Sequence, residues 1–333
     1  VTGDVAFPVE NWLLSFTDWV EKMCRFWLIG ILIYALVGFL GCEKPGPIAL
    51  EQEDYPEPLD VRLFTLHERD TLIVSEYNYD LTGLAPNEEE RYPGTILVNG
   101  IKMDVEGYPY VYSYSRAVFV EKDSVIPVRG QFGTVYEHPR LDVGDVQVSG
   151  VVLEKKEVIT QIRSVTLIPI RTGILYRIMN EGNAYTLPFV YRANARYGIL
   201  TQGRGRISAF ADVIESPDEI TVVEPRPYSL RFRDEDLVLR WNGRPGQHLA
   251  VIISLYDESR LRLGKPVMLL KSSVKSNGLK IPSKLVQLLP RTASGKFLLT
   301  VVSANRLERR IDGYSGTVLI QAASIHNVAL TVK

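Results

Sequence analysis

From Asp60 to the last residue the chain repeats one pattern, and that pattern limits its folds more than any other feature. Short runs alternate apolar and polar residues, and Gly, Pro, Asn or Asp closes each run. Examples are DVRLFTL (60–66), DTLIVSEY (70–77), GTILVNGIKMDV (94–105), YPYVYSYS (108–115), RAVFVEK (116–122), GDVQVSGVVL (144–153), SVTLIPI (164–170), ILYRIM (174–179) and GRISAFADVI (205–214). A period of two sends successive side chains to opposite faces of a strand, whereas the helical period of 3.6 is almost absent. The expectation is an all-β chain of packed sheets rather than βαβ units. Composition agrees: 17 Tyr against 11 Phe, with 25 Gly and 19 Pro, suits strands joined by punctuated turns. Asn99-Gly100, between two apolar runs, is the strongest hairpin signal and predicts a turn there.

A domain boundary is expected at EPRPYSL (224–230), where two prolines separate the run DEITVVE from a fresh start at SLRFRDEDLVLRW. Residues 59–224 form one β-rich domain, or two small ones split near Gly150. Residues 225–333 have the length of one sandwich of immunoglobulin size. Their strands read LVLRW (237–241), HLAVIISLYD (248–257), KPVMLLKSSV (265–274), GKFLLTVVSA (295–304), GTVLIQAAS (316–324) and HNVALTVK (326–333). The exception is IPSKLVQLLP (281–290), where Pro282 opens a short helix and Pro290 ends it. Leu285, Leu288 and Leu289 then share a face that plugs one end of the sandwich.

The start of the chain is different in kind. Phe26 to Leu40 is an uncharged apolar run. As a helix it spans about 22 Å, short of the ~30 Å hydrocarbon core but right for the apolar stretch of a signal peptide. Arg25 precedes it and Gly41-Cys42 follows it. A buried core helix or a short anchor helix is the competing reading. The acidic residues 1–22 suit export poorly, whereas a start at Met23 gives the order charge, apolar run, small residue. The expectation is therefore a signal peptide over 1–41, with Met23 as the true start. Residues 42–58, EKPGPIALEQEDYPEP after the cysteine, read as a flexible tether.

Phe39-Leu40-Gly41-Cys42 resembles the lipobox of bacterial lipoproteins. Gly41 and Cys42 match that motif; Phe39 and Leu40 depart from its usual Leu and small residue. The resemblance implies cleavage before Cys42 and acylation of its thiol and new amine, and multiple acyl chains give stable anchoring. The C-terminal part is similar to the immunoglobulin-like modules of Bacteroidetes-type lipoproteins. The similarity rests on Trp241 ending an early strand and on the G-x-x-I-P-x-x-L pattern from Gly278 to Leu285. It implies a fold and a cell-envelope location, and no particular activity; Glu43 after the cysteine, in place of the Asp associated with inner-membrane retention, points to the outer membrane.

Several function classes find no support in the sequence. Net charge is −1, so no basic field draws nucleic acid. The only cysteines are Cys24 and Cys42, which leaves the body without thiol chemistry or a cysteine metal site. The four histidines, His67, His138, His248 and His326, lack metal-ligand spacing, and no nucleophile elbow or phosphate loop occurs. NEEER (87–91) lacks the spacing of a calcium loop. No cofactor, metal or catalytic residue is called for.

Two features invite a binding role. Tyr108, Tyr110, Tyr112 and Tyr114 are spaced by two, so one strand would place all four rings on one face. They form either an aromatic platform for a glycan or partner, or a tyrosine-rich strand packed on a core. Arg196, Arg204 and Arg206 lie near glycines in RYGILTQGRGR (196–206), as a basic loop for an acidic ligand or a solvated turn. The sequence thus points to a membrane-anchored lipoprotein with a non-catalytic role in recognising a glycan, peptide or envelope protein. The alternatives are a hydrolase of envelope or extracellular polymers and a subunit of a larger assembly.

Overall fold

The computed structural model describes residues 59–63, 73–75, 92–105, 108–130, 133–162, 170–181, 187–257, 262–272 and 276–333. The leader, Cys42, the tether and NEEER lie outside the described residues. What is described is all-β and of sandwich type, with four sheets and one short helix among the described residues.

One long hairpin organises the molecule. Strand β19 (Lys296–Arg310) turns at 311–316 and returns as β20 (Thr317–Val332), paired throughout from Lys296↔Thr331 to Arg310↔Thr317. On one side β19 pairs with β16 (His248–Asp257), then β17 (Arg262–Ser272) and β1 (Leu59–Leu63). On the other side β20 runs parallel to β3 (Gly94–Val105). There follow β4 (Tyr108–Phe119), β10 (Ile170–Glu181), β9 (Glu154–Ile162) and β2 (Ile73–Ser75), all antiparallel. With β14 (Leu230–Arg231) beside β20, this makes an eleven-stranded sheet.

Two smaller sheets cover the same face of it. The first joins β13 (Thr221–Glu224), β15 (Leu237–Asn242) and β18 (Gly278–Ile281). It packs Trp241, Leu239 and Ile281 against Val251, Ile253, Leu299 and Val328. The second joins β12 (Phe210–Glu215), β11 (Arg196–Thr201), β7 (Val146–Val148) and β8 (Val151–Val152). Its Ile199, Val146 and Val148 meet Ile96, Val98, Phe119, Tyr176 and Ile320. Strands β5 (Ile126–Gly130) and β6 (Gly133–Glu137) form a separate hairpin. Helix α1 (Ser283–Val286) buries Leu285, and Leu289 beyond it is buried too, but Leu288 is 47% exposed, so the three leucines do not act as one plug.

Each core takes one end of β20: Val318, Ile320 and Ala322 belong to one, Val328, Leu330 and Val332 to the other. Between them lies a polar seam. Ser303 Oγ accepts from the Gly246 N–H at 2.8 Å, Ser324 Oγ from Ile220 at 2.9 Å and His326 Nδ1 from Val222 at 2.7 Å. Asn305 accepts from the Gln247 N–H and donates to the Glu215 carbonyl. The sequence places a boundary near 225, but the strands on its two sides share one sheet. β1, from the first half, pairs with β17, and the hairpin from the second half reaches into the first half's core.

The seam also explains two misread breaks. GTVLIQAAS and HNVALTVK are one strand, because the polar residues at their junction are partnered rather than turned to solvent. Asn99-Gly100 is not a turn either. Both residues lie inside β3, paired with β4 as Asn99↔Tyr114 and Gly100↔Ser113, and with β20 as Asn99↔Ala323 and Gly100↔Ser324. Glycine is required there for close approach: a Cβ on Gly100 would sit 2.1 Å from the Tyr191 ring.

Candidate functional site

The second face of the large sheet carries the tyrosine ladder. β4 is continuous from Tyr108 to Phe119, so Tyr110, Tyr112 and Tyr114 fall on one side as their spacing requires, while the Tyr108 side chain lies outside the described residues. Tyr110, Tyr112 and Tyr114 are each half-buried and stand opposite Met103, Ile101 and Asn99. The Tyr110 and Tyr112 rings stack at 6.4 Å with planes 19° apart. Tyr112 and Tyr114 pack against Ile101, Val302, Ala304, Ala323 and Ile325, and Tyr110 against Tyr256, Leu298 and Ala329. The rings are thus rooted in apolar neighbours while keeping part of their surface. On the next strand Met179 stands opposite Tyr114 and is 48% exposed. A thioether beside aromatic rings is soft, polarisable and adaptable in contact.

Beneath this ladder Asn99 is fully buried, and both polar atoms of its side chain lack a hydrogen-bond partner. Leaving such a group unmet costs on the order of 1–3 kcal/mol. The sequence reading missed it, because an Asn before a Gly signals a turn.

The three arginines do not form one basic surface. Arg196 opens β11 and is exposed. Arg204 and Arg206 lie beyond the other end of that strand, where Arg204 pairs with Asp142 and Arg206 with the nearly buried Glu121. They tie the loop 203–207 to the rest of the lobe rather than offering free cations.

Asp142 is the centre of a polar node that the sequence does not show. It accepts from the Tyr176 hydroxyl at 2.8 Å and from the Gly144 N–H at 3.0 Å, and Lys155 Nζ lies 3.2 Å from both Asp142 and Asp145. Burial alone would raise its carboxyl, but the bonds from Tyr176, Gly144 and Lys155 outweigh burial and hold it below the ordinary 3.8. Tyr176, pushed up by burial and then by Asp142, stays a phenol; it accepts from the Val143 N–H at 2.7 Å. Every charge in this node is answered by another, as in a structural clamp.

His326 and Asp104 form the other conspicuous pair, 3.1 Å apart at Nε2. The imidazole is fully buried, and its Nδ1 takes the Val222 N–H, so Nε2 carries the proton and donates to Asp104. Neither nitrogen is left for a substrate. Burial drives its pKa down to about 4, with Asp104 opposing and Lys102 adding to the fall. Among the described residues no group of three or more His, Cys, Asp or Glu is placed to hold a metal ion, and no helix is long and apolar enough to cross a membrane.

No family model matches the chain, and no curated protein matches it by sequence. The functional reading therefore rests on the chain's own geometry.

Proposed function

We propose that this chain is a non-catalytic recognition protein of the bacterial cell envelope. It is held to the outer membrane by a lipid on Cys42 and offers the tyrosine face of its large sheet to a glycan. The observation that carries the binding role is the ladder itself. Tyr110, Tyr112 and Tyr114 are fixed in one row, half-buried, with two rings stacked. Aromatic rings present large, rigid apolar surface with a polar tip, which suits sugar rings. Exposed Met179 at the edge of the row supports a second reading, in which the same face meets an apolar surface of another envelope protein.

Titration of the full chain with envelope polysaccharide fragments tests this. Tyr110→Ala is expected to weaken binding roughly tenfold, the equivalent of about 1.4 kcal/mol of lost ring contact, and Tyr110→Phe to retain it. Equal binding by Tyr110→Ala and the unaltered chain would exclude the platform. The anchor has its own test. Cells fed a fatty-acid analogue should label the protein, and Cys42→Ser should abolish the label. Equal labelling of the two would remove the lipid from the proposal while leaving the platform standing.

A further inference from the structure

The chain carries a second recessed surface, far in sequence from the tyrosine strand and of opposite character. A cleft of about 440 Å³ is lined by Arg233, Arg291, Thr292, Ser294, Gly295 and Lys333, among others. Arg233 is held in place there: its Nη1 donates to the Leu289 carbonyl at 2.5 Å and its Nη2 to the Pro290 carbonyl at 3.0 Å. Its backbone N–H donates to the Lys333 carbonyl at 3.0 Å. A guanidinium has five N–H donors in a rigid fork, so three remain after these two bonds.

Arg291 lies close enough to act on Arg233. Burial first, and then the Arg291 charge, lower the Arg233 pKa. Among the described residues no carboxylate side chain pairs with Arg233, Arg291 or Lys333. Asp234 and Glu235 follow Arg233 in the chain, but both are exposed and neither lines the cleft. The hydroxyls are oriented as well. Thr292 Oγ1 accepts from the Gly295 N–H at 3.0 Å and Ser294 Oγ from the Lys296 N–H at 3.3 Å, which leaves each hydroxyl proton to donate elsewhere.

An immobilised guanidinium beside a second one, with two hydroxyl donors, supplies more donors than the cleft's own acceptors take up, among them the Lys333 main-chain oxygen that receives the Arg233 N–H. Like charges held together repel, and an oxyanion between them removes that repulsion while filling the fork. We propose that this cleft binds a phosphate group. Such a group is carried by a phospholipid headgroup as well as by a phosphorylated solute, and the phosphate is common to both.

The test uses the full chain with Cys42→Ser, so that no acyl chain contributes. One arm titrates inorganic phosphate by calorimetry. The other measures co-sedimentation with phosphatidylcholine vesicles, with and without phosphatidylglycerol. Arg291 is exposed and makes no ion pair among the described residues, so Arg291→Glu should fold. Binding in at least one arm, weakened by roughly tenfold or more in Arg291→Glu and kept in Tyr110→Ala, is the expected result. Phosphate binding alone identifies a soluble phosphorylated ligand; phosphatidylglycerol-dependent sedimentation identifies a headgroup. Absence of binding in both arms, or equal binding by Arg291→Glu, overturns the proposal. Because the tyrosine face is untouched by Arg291→Glu, failure here is separable from failure of the glycan reading.

Discussion

Replacing Trp241 by alanine is expected to cost about 3–5 kcal/mol, the range for emptying a large aromatic site in a packed core. Trp241 is 2% exposed and lies next to last in β15, opposite Val222 of β13, in the core that also holds Phe297, Leu285 and Ile253. The loss has two parts: the transfer of the indole, and the cavity that the surrounding strands cannot fully close. The surrounding strands belong to two sheets that meet only through side chains, so the gap lies in the contact that holds them together. Trp241→Phe should cost clearly less. The indole N–H has no hydrogen-bond partner, so its removal relieves a buried unmet donor and offsets part of the lost volume. Urea unfolding of the three proteins at neutral pH measures the order. A Trp241→Ala midpoint within error of the Trp241→Phe midpoint would mean that the site collapses freely and that the two-sheet core is less rigid than its burial implies.

What the sequence made legible is local, and what it hid is long-range. A period of two needs only strand continuity to put Tyr110, Tyr112 and Tyr114 on one face, so the ladder could be read directly. Trp241 and the short helix after Gly278 were legible for the same reason. The long strand β20 was not, because Ser324, His326 and Asn327 look like a break. Their partners Ile220, Val222 and Thr300 are set by tertiary structure. The parallel pairing of β20 with β3 joins residues more than two hundred positions apart, and nothing in either stretch announces it. Shorter separations, 62 and 85 positions, hide in the same way the acids that take Arg204 and Arg206. Gly100 shows how a correct rule misleads: the glycine is needed, but for the Tyr191 ring and not for a turn. Polar residues in a β-rich sequence therefore mark either turns or seams between cores, and pattern alone does not separate the two.

The seam gives the last prediction, in which stability should fall as pH is lowered from about 6.5 to about 4. In the folded chain His326 resists protonation down to about 4, mainly because it is buried. In the unfolded chain it takes up a proton near 6.5. Between these values the unfolded state binds more protons than the folded one, so lowering the pH favours unfolding. The contribution is complete above 6.5, declines through the window and is flat below about 4. Its size is about 3 kcal/mol, at 1.36 kcal/mol per unit of difference. Asp142 acts lower: its carboxyl is held below 3.8, so its contribution is present above that value and is lost only as pH falls through the depressed one. The two windows can therefore be separated. Protonation would place a second N–H on Nδ1 against the Val222 N–H, and would put a cation near Lys102 with only Asp104 to answer it. His326→Gln keeps an amide oxygen that can accept from Val222 but cannot titrate. Unfolding free energies at pH 7, 5.5 and 4 should therefore converge for the two proteins as the pH falls, with the unaltered chain losing its advantage. Parallel lines across that range would show that the buried imidazole is not the titrating group, and that the seam is held by its hydroxyl and amide bonds alone.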